Sequence, residues 1–162
     1  MENILFFDTE TTGLPNFKAR SADPCQPSVL QLGAVLTDPE GNILEEWETL
    51  VKIGDKPIHP MALNAHGISS EKANSEGIHK TEAFTQFYEL AMDSGALCCH
   101  NFSFDIRLLR IMAAQCGLDV NEPENYAILI DEILELPYYC TMRSTIQFCA
   151  LPFLSGRKGN KF

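Results

Sequence analysis

The sequence lacks any long hydrophobic run. No stretch approaches the roughly 20 consecutive apolar residues that a membrane-spanning helix needs. The amino terminus, Met1-Glu2-Asn3, has no basic segment, so it does not predict a secretory signal peptide. We therefore expect a cytoplasmic protein. Its 162 residues suit one domain with a hydrophobic core of its own.

Paired cysteine motifs are also absent. The chain has 6 cysteines, but no two of them stand at the Cys-x-x-Cys spacing that is typical of zinc sites. Most of them lie within apolar stretches, which favours reduced, buried thiols over disulfides. The sequence gives no sign of a small organic cofactor.

Basic residues are few. The 12 lysines and arginines face 22 acidic residues, and the formal net charge is −10. This balance argues against broad electrostatic binding of nucleic acid. It does not exclude a nuclease whose acidic pocket is neutralised by bound metal ions. Contacts to phosphate would then come from local features of the surface.

Apolar runs and turn residues predict a mixed α/β fold. Three strands open the chain, and the second and third form a hairpin across the turn at 38–42. Later strands alternate with helices, in the order β-β-β-α-β-α-α-β-α, which indicates one mixed sheet with helices on its faces. The predicted strands are 3–9, 29–37, 43–51, 96–99 and 138–142. The predicted helices begin near Thr81, Phe104, Asn125 and Ser144, and the first two end at Gly95 and Gly117.

Two carboxylates leave the end of the first strand together. Asp8 and Glu10 are two residues apart, so on a strand they point to the same face. Like charges this close repel each other, and burial penalises both. A divalent cation relieves that repulsion, and hard oxygen ligands suit Mg²⁺ or Mn²⁺. A solvated strand end is the simpler explanation of an Asp-x-Glu triplet alone.

A third carboxylate follows the predicted interior strand. Asp105 ends the segment His100-Asn101-Phe102-Ser103-Phe104-Asp105 and lies in the first turn of the next helix, near the positive end of its dipole. A carboxylate that caps the helix would explain a lone aspartate there. Because both acidic segments end central strands, their carboxylates are placed to converge on one pocket.

These segments resemble the first two motifs of the DEDD (DnaQ-like) 3′→5′ exonuclease family. The first is Asp8-Thr9-Glu10 with its flanks, and the second is the family's HNxxFD pattern at 100–105. Asn64-Ala65-His66-Gly67-Ile68 is similar to a further family element. The family includes the proofreading subunit of bacterial DNA polymerase III and RNA-trimming enzymes. The resemblance implies a ribonuclease H-like fold with a mixed five-stranded sheet.

The resemblance also implies roles for individual residues. Asp8 would bridge two Mg²⁺ or Mn²⁺ ions, Glu10 would bind one of them, and Asp105 would help to hold the other. Such a site performs in-line displacement at a phosphodiester and releases 5′ mononucleotides. The residues expected to contact the 3′ end of the nucleic acid are Thr11, Thr12, Gly13, Leu14, His66, Asn101 and Phe104.

The last motif of the family is missing from the sequence. The family pattern adds a fourth carboxylate beside a general base, as His-x₄-Asp or Tyr-x₃-Asp. Only His100 and Asp105 satisfy either spacing, and they already belong to the second motif. We therefore predict an incomplete exonuclease domain over 1–154 and a basic, flexible tail over 155–162. General-base help is typically worth about 10²–10⁴-fold, so we expect this chain to be weakly active or inactive.

Three functions stay open at this point. The leading hypothesis is an exonuclease of single-stranded DNA, of the proofreading or repair type, with a DNA polymerase subunit as a partner. An RNA-trimming enzyme of the same family is the nearest alternative, because small changes in shape decide whether a 2′-hydroxyl is accepted. A catalytically silent module that binds nucleic acid or protein is the third, and the missing motif is its best support.

Overall fold

The computed structural model describes residues 2–149, so the predicted tail over 155–162 lies outside the described residues. A five-stranded sheet forms the centre, in the order β3-β2-β1-β4-β5. The strands are β1 (Ile4–Thr11), β2 (Val29–Thr37), β3 (Ile43–Leu50), β4 (Ala96–Cys99) and β5 (Tyr138–Cys140). β1 pairs with β2 and β2 with β3 in antiparallel fashion, whereas β4 lies parallel to β1 and to β5.

Six helices occur within the described residues. They are α1 (Pro60–His66), α2 (Ser70–Glu76), α3 (Lys80–Met92), α4 (Phe102–Val120), α5 (Pro123–Glu135) and α6 (Thr141–Cys149). The predicted mixed five-stranded sheet with flanking helices is confirmed. No helix within residues 2–149 combines the length and the apolar character needed to cross a membrane.

The main core lies between one face of the sheet and helices α3, α4 and α5. Alternate residues of β1 supply Leu5 and Phe7 to it, and both are at most 5% exposed. The ring of Phe7 makes edge-to-face contacts with Phe87 of α3 and Phe102 of α4, with centroids 5.3 and 6.5 Å away. Burial of such large apolar groups is the main force that fixes α3 and α4 on the sheet.

Helices α1 and α2 were not predicted. Each has seven residues, α1 buries none of them, and α2 buries only Ala73, so neither carries an apolar stripe. Their ends are defined by local chemistry instead. The side chains of His59 and Ser69 accept backbone N–H bonds at the two helix starts, and Gly67 ends α1 with a φ of 71°.

Three predicted helix boundaries were wrong in detail. Helix α3 is capped by His79 and not by Thr81, and it ends at Met92, before Gly95. Helix α4 continues beyond Gly117 to Val120. A Cβ atom on Gly117 would lie 2.6 Å from the Cα of Pro123. This glycine therefore permits close packing of the connection to α5, and it does not end the helix.

Candidate active site

Strand β1 has one buried face and one open face. The side chains of Leu5, Phe7, Thr9 and Thr11 are buried, whereas Phe6 and Asp8 are exposed and Glu10 is half-buried. The alternation follows from the period of two residues along a strand. Asp8 and Glu10 therefore share the open face, as the sequence predicted.

Asp105 approaches β1 from the first turn of α4. Because β4 lies beside β1 in parallel, the helix that follows β4 begins at the same edge of the sheet as the end of β1. The Asp105 side chain is only 2% exposed. Its Oδ1 atom accepts a hydrogen bond from the hydroxyl of Thr9, with an oxygen–oxygen distance of 2.7 Å. Thr9 thus ties the two acidic segments together.

Burial and charge shape the electrostatics of the three acids. Burial raises the pKa of Asp105 to about 7, the hydrogen bond from Thr9 works against this rise, and the charge of Asp8 adds to it. Burial also raises the pKa of Glu10. His66 opposes this rise, and the charge of Asp8 adds to it. Asp8 therefore interacts electrostatically with both of the other acids. The carboxylates form one coupled group at the end of β1.

The donor set suits a hard divalent cation. Carboxylate oxygens are the ligands that Mg²⁺ and Mn²⁺ prefer, and a buried carboxylate with a raised pKa gains from a positive charge beside it. As placed, residues 2–149 contain no group of three or more His, Cys, Asp or Glu side chains that could hold a metal ion. The chemistry of Asp8, Glu10 and Asp105 therefore fits a cation, and their joint coordination of one is a proposal.

A cleft of about 460 Å³ opens beside this acidic group. Its volume lies within the range of small-molecule sites, which is roughly 300–1,000 Å³. It is lined by the end of β1 and the following turn, by α1 with its cap, and by Phe104 of α4. Its lining residues are Thr9, Glu10, Thr11, Gly13, Leu14, His59, Met61, Ala62, Ala65, His66 and Phe104. The predicted residues Thr11, Gly13, Leu14, His66 and Phe104 thus share one cleft with Glu10.

His66 brings a hydrogen-bond donor to the cleft. Its Nδ1 atom accepts a bond of 3.0 Å from the backbone N–H of Ile68, so the hydrogen of the neutral ring resides on Nε2. That Nε2 atom is buried and has no hydrogen-bond partner among residues 2–149. An unpaired buried donor destabilises the fold. A ligand that accepts a hydrogen bond from it would remove that unfavourable free energy.

The turn after β1 is held in place by threonines. Thr11 donates its hydroxyl to the carbonyl oxygens of Gly13 and Ser28, at 3.0 and 3.2 Å. Thr12 is buried, and its hydroxyl accepts the N–H of Ser28 while its carbonyl accepts the N–H of His59. Thr12 therefore joins the turn to the start of α1 and does not line the cleft.

Gly13 is not required by the fold itself. Its φ is not positive, and a Cβ atom on it would meet the Cβ of His59 at 3.6 Å, an ordinary van der Waals distance. A small residue at this point of the cleft wall matters only for what approaches from outside. Leu14, the next residue, is 83% exposed and lines the cleft, so it presents apolar surface to the same space.

Asn101 lies outside the cleft. It precedes α4 with a left-handed φ of 61°, and its side chain makes no capping hydrogen bond. Sequence reasoning missed the cleft residues that α1 and its cap supply, namely His59, Met61, Ala62 and Ala65. Pro60 at the first helical position and Gly67 after the last were the signals that could have placed α1 there.

Comparisons with known proteins identify a family and several solved structures with a similar fold. A family model, RNase_T, described as Exonuclease, matches residues 5–150. No match was found among curated proteins. E. coli exonuclease I bound to a dT13 oligonucleotide has a similar structure, with a TM-score of 0.67, 19% identity, and coverage of 96% of this chain and 31% of that one. Product-bound exonuclease I gives a TM-score of 0.66 at 20% identity, with coverage of 96% and 33%.

The structural likeness, at such low identity, concerns the fold. The chain spans about a third of the length of the exonuclease I chains that it matches. The family match extends over most of the 162 residues and includes both acidic segments. This chain therefore belongs to the RNase_T exonuclease family.

Proposed function

We propose that this domain is a metal-dependent 3′→5′ exonuclease that releases 5′ mononucleotides from single-stranded DNA. The observation that carries the proposal is the hydrogen bond from Thr9, which lies between Asp8 and Glu10, to the buried Asp105; Thr9 and Glu10 also line an apolar cleft. The charge of Asp8 raises the pKa of both Glu10 and Asp105, and such an arrangement is unusual in a fold unless a cation or a reaction needs it.

Asp8, Glu10 and Asp105 are the residues that would hold Mg²⁺ or Mn²⁺. Bound there, such ions would supply a hydroxide nucleophile at neutral pH and offset the charge that develops on the phosphate. The chain's own residues position the substrate. Thr9 fixes the carboxylate of Asp105, and Thr11 fixes the backbone at Gly13, where a terminal nucleotide can approach closely.

The cleft has the size and chemistry for one nucleotide. Leu14 and Phe104 supply apolar surface for a base, and His66 Nε2 supplies a donor for an oxygen of the sugar or phosphate. Single-stranded DNA is the favoured polymer because related folds have been seen with DNA oligonucleotides bound. The RNA-trimming alternative, the polymerase partner and the cytoplasmic location stay predictions from the sequence.

The test is a digestion assay with excess protein and Mn²⁺ on single-stranded DNA labelled at its 5′ end. We expect slow shortening from the 3′ end and release of 5′ mononucleotides, identified by chromatography. Asp8→Ala should abolish digestion and leave the circular dichroism spectrum unchanged, because Asp8 is exposed and outside the core. Asp131→Asn, an exposed acid on α5, is the matched control and should digest normally.

Two results would contradict the proposal. Digestion that persists in Asp8→Ala, or in the presence of EDTA, would show that these acids do not act through a metal ion. If the protein binds DNA without digesting it, and if neither Mn²⁺ nor Asp8→Ala changes that binding, the silent binding module is favoured. An RNA strand of the same sequence, run in parallel, decides between the two polymers.

A further inference from the structure

The 16–26 loop, between β1 and β2, has a buried polar centre. The side chain of Gln26 is fully buried. Its Oε1 accepts the N–H of Asn16 at 3.0 Å, and its Nε2 donates to the carbonyl oxygens of Asn16, Ala19 and Arg20 at 2.9, 3.4 and 3.0 Å. One amide thus satisfies four backbone groups across the loop. The loop is therefore preorganised without regular secondary structure.

Arg107 of α4 fastens the loop to the side of the cleft. Its guanidinium donates to the hydroxyl of Ser21 at 2.9 Å and to the carbonyl oxygens of Asn16 and Ala19 at 3.1 and 2.6 Å. Arg107 lies three residues after Phe104, which lines the cleft, so the two side chains share one face of the helix. The loop and the cleft are therefore adjacent along α4.

The loop turns an aromatic ring and two cations outward. Phe17 is 63% exposed, although it stands between residues that the buried network holds. Lys18 and Arg20 are exposed, and neither forms a salt bridge within residues 2–149. In a chain with a net charge of −10, residues 17–20 carry two cations, one aromatic ring and no acid. Aromatic faces with cations around them are how proteins bind single strands without sequence preference.

The spacing suits a strand that leaves the cleft. Phe17 follows Leu14 by three residues, so their Cα atoms are at most about 11 Å apart. Stacked nucleotides rise about 3.4 Å per step, so this span corresponds to two or three nucleotides. We propose that the 16–26 loop binds the nucleotides upstream of the terminal one, with Phe17 stacked on a base and Lys18 and Arg20 beside the phosphates. The inference rests on the proposed binding of a 3′ end in the cleft.

Oligonucleotides of increasing length distinguish binding by the loop from binding by the cleft. Binding to fluorescently labelled, phosphorothioate-linked oligothymidylates of two to six nucleotides is measured with Mn²⁺, and 5′-TMP is measured by calorimetry. We expect affinity to rise from TMP to the tetranucleotide. Phe17→Ala should weaken tetranucleotide binding at least about fivefold, the lower end of what one base–aromatic stack contributes, and leave TMP binding unchanged. Phe17→Tyr should restore the tetranucleotide affinity. Ile128→Ala, which removes an equally exposed apolar side chain from α5, should alter neither.

The salt dependence tests the cations. Each contact to a single strand contributes about 0.7 to the slope of log K against log salt concentration. Lys18→Gln with Arg20→Gln should therefore make the slope for the tetranucleotide about 1.4 less negative. Lys52→Gln with Lys72→Gln removes the same charge from exposed sites outside the cleft and should leave the slope unchanged.

The outcomes distinguish the two proposals. If TMP binds and Phe17→Ala binds the tetranucleotide as tightly as the unmodified chain does, the loop proposal is overturned and the cleft proposal stands. If neither TMP nor the oligonucleotides bind, both are overturned. If Phe17→Ala weakens binding of an RNA tetranucleotide as much as that of the DNA tetranucleotide, stacking is supported, because every base offers an aromatic face.

Discussion

The two faces of β1 have opposite roles. One face places Leu5 and Phe7 in the core under α3 and α4, whereas the other presents Phe6 and Asp8 to solvent. The rest of the open face is also sparsely covered, since a groove of about 920 Å³ runs across Phe6, Asp8, Val35, Glu46 and Glu48. Residues that stabilise the fold and residues of the candidate site are therefore adjacent in sequence along β1 and point to opposite faces.

This separation has a physical origin. Side chains two residues apart share a face, so an eight-residue strand can bury one set and expose another without any change of backbone. Thr9 is the exception, because it lies on the buried face and yet binds Asp105. The site therefore draws its rigidity from the core through one hydroxyl, and the exposed acids remain free of packing constraints.

Alanine substitutions of two adjacent phenylalanines test the difference between the two faces of β1 most directly. Phe7→Ala should lower the free energy of unfolding by about 3–5 kcal/mol, because it leaves a cavity where Phe87 and Phe102 now touch the ring. Phe6→Ala should cost less than about 1 kcal/mol, because Phe6 is 42% exposed. Urea denaturation measures both. Equal losses would show that the open face is packed in solution.

A second prediction concerns the effect of Asp105 on how stability depends on pH, with the free energy of unfolding measured in EDTA. The pKa of Asp105 is raised to about 7 in the folded state, so the folded chain keeps a proton there that the unfolded chain releases near pH 4. Stability should therefore fall as pH rises between about 4 and 7. Asp105→Asn should remove this decrease in stability, so that the variant is more stable than the unmodified chain by about 4 kcal/mol at pH 8 and equally stable below pH 4.

The melting temperature at closely spaced pH values checks this prediction. Asp131→Asn serves as the control, since this acid is exposed on α5 and should not change the pH profile. A profile of Asp105→Asn parallel to that of the unmodified chain would show that another group is responsible for the pH dependence.

The smallest expected effect is that of the cation. Mn²⁺ at 100 times its dissociation constant should raise the free energy of unfolding by about 2.7 kcal/mol. Asp8→Ala and Asp105→Asn should reduce this gain, while Asp131→Asn should keep it. Differential scanning calorimetry with and without Mn²⁺ gives the shift. A gain that survives in both site variants would place the cation elsewhere on the protein.

The sequence predicted the central elements well where the signal was apolar. The strand over 29–37 was predicted with its observed bounds, as was the interior strand over 96–99, because both segments are mainly apolar. The placement of Asp105 in the first turn of α4 also followed from its position after that strand. These features depend on hydrophobic patterns that a single sequence displays.

Features fixed by individual hydrogen bonds could not be predicted. The short helices α1 and α2 lack an apolar stripe. Helix α1 and its cap His59 supply nearly half of the residues that line the cleft. The 16–26 loop depends on the burial of Gln26 and on Arg107, which is 81 positions later in the sequence. A lone glutamine or arginine gives no sign in the sequence of the distant backbone groups that it will bind. The Thr9–Asp105 contact is of the same kind.

The hydrogen bond between Thr9 and Asp105 joins residues that are 96 positions apart in the chain. A nascent polypeptide that has emerged only through β3 holds Asp8 and Glu10 but not their partner. Closing so long a loop is entropically slow, and it must precede any assembly of the acidic group. During synthesis, then, the acidic group is incomplete until α4 has been made and has packed beside β1.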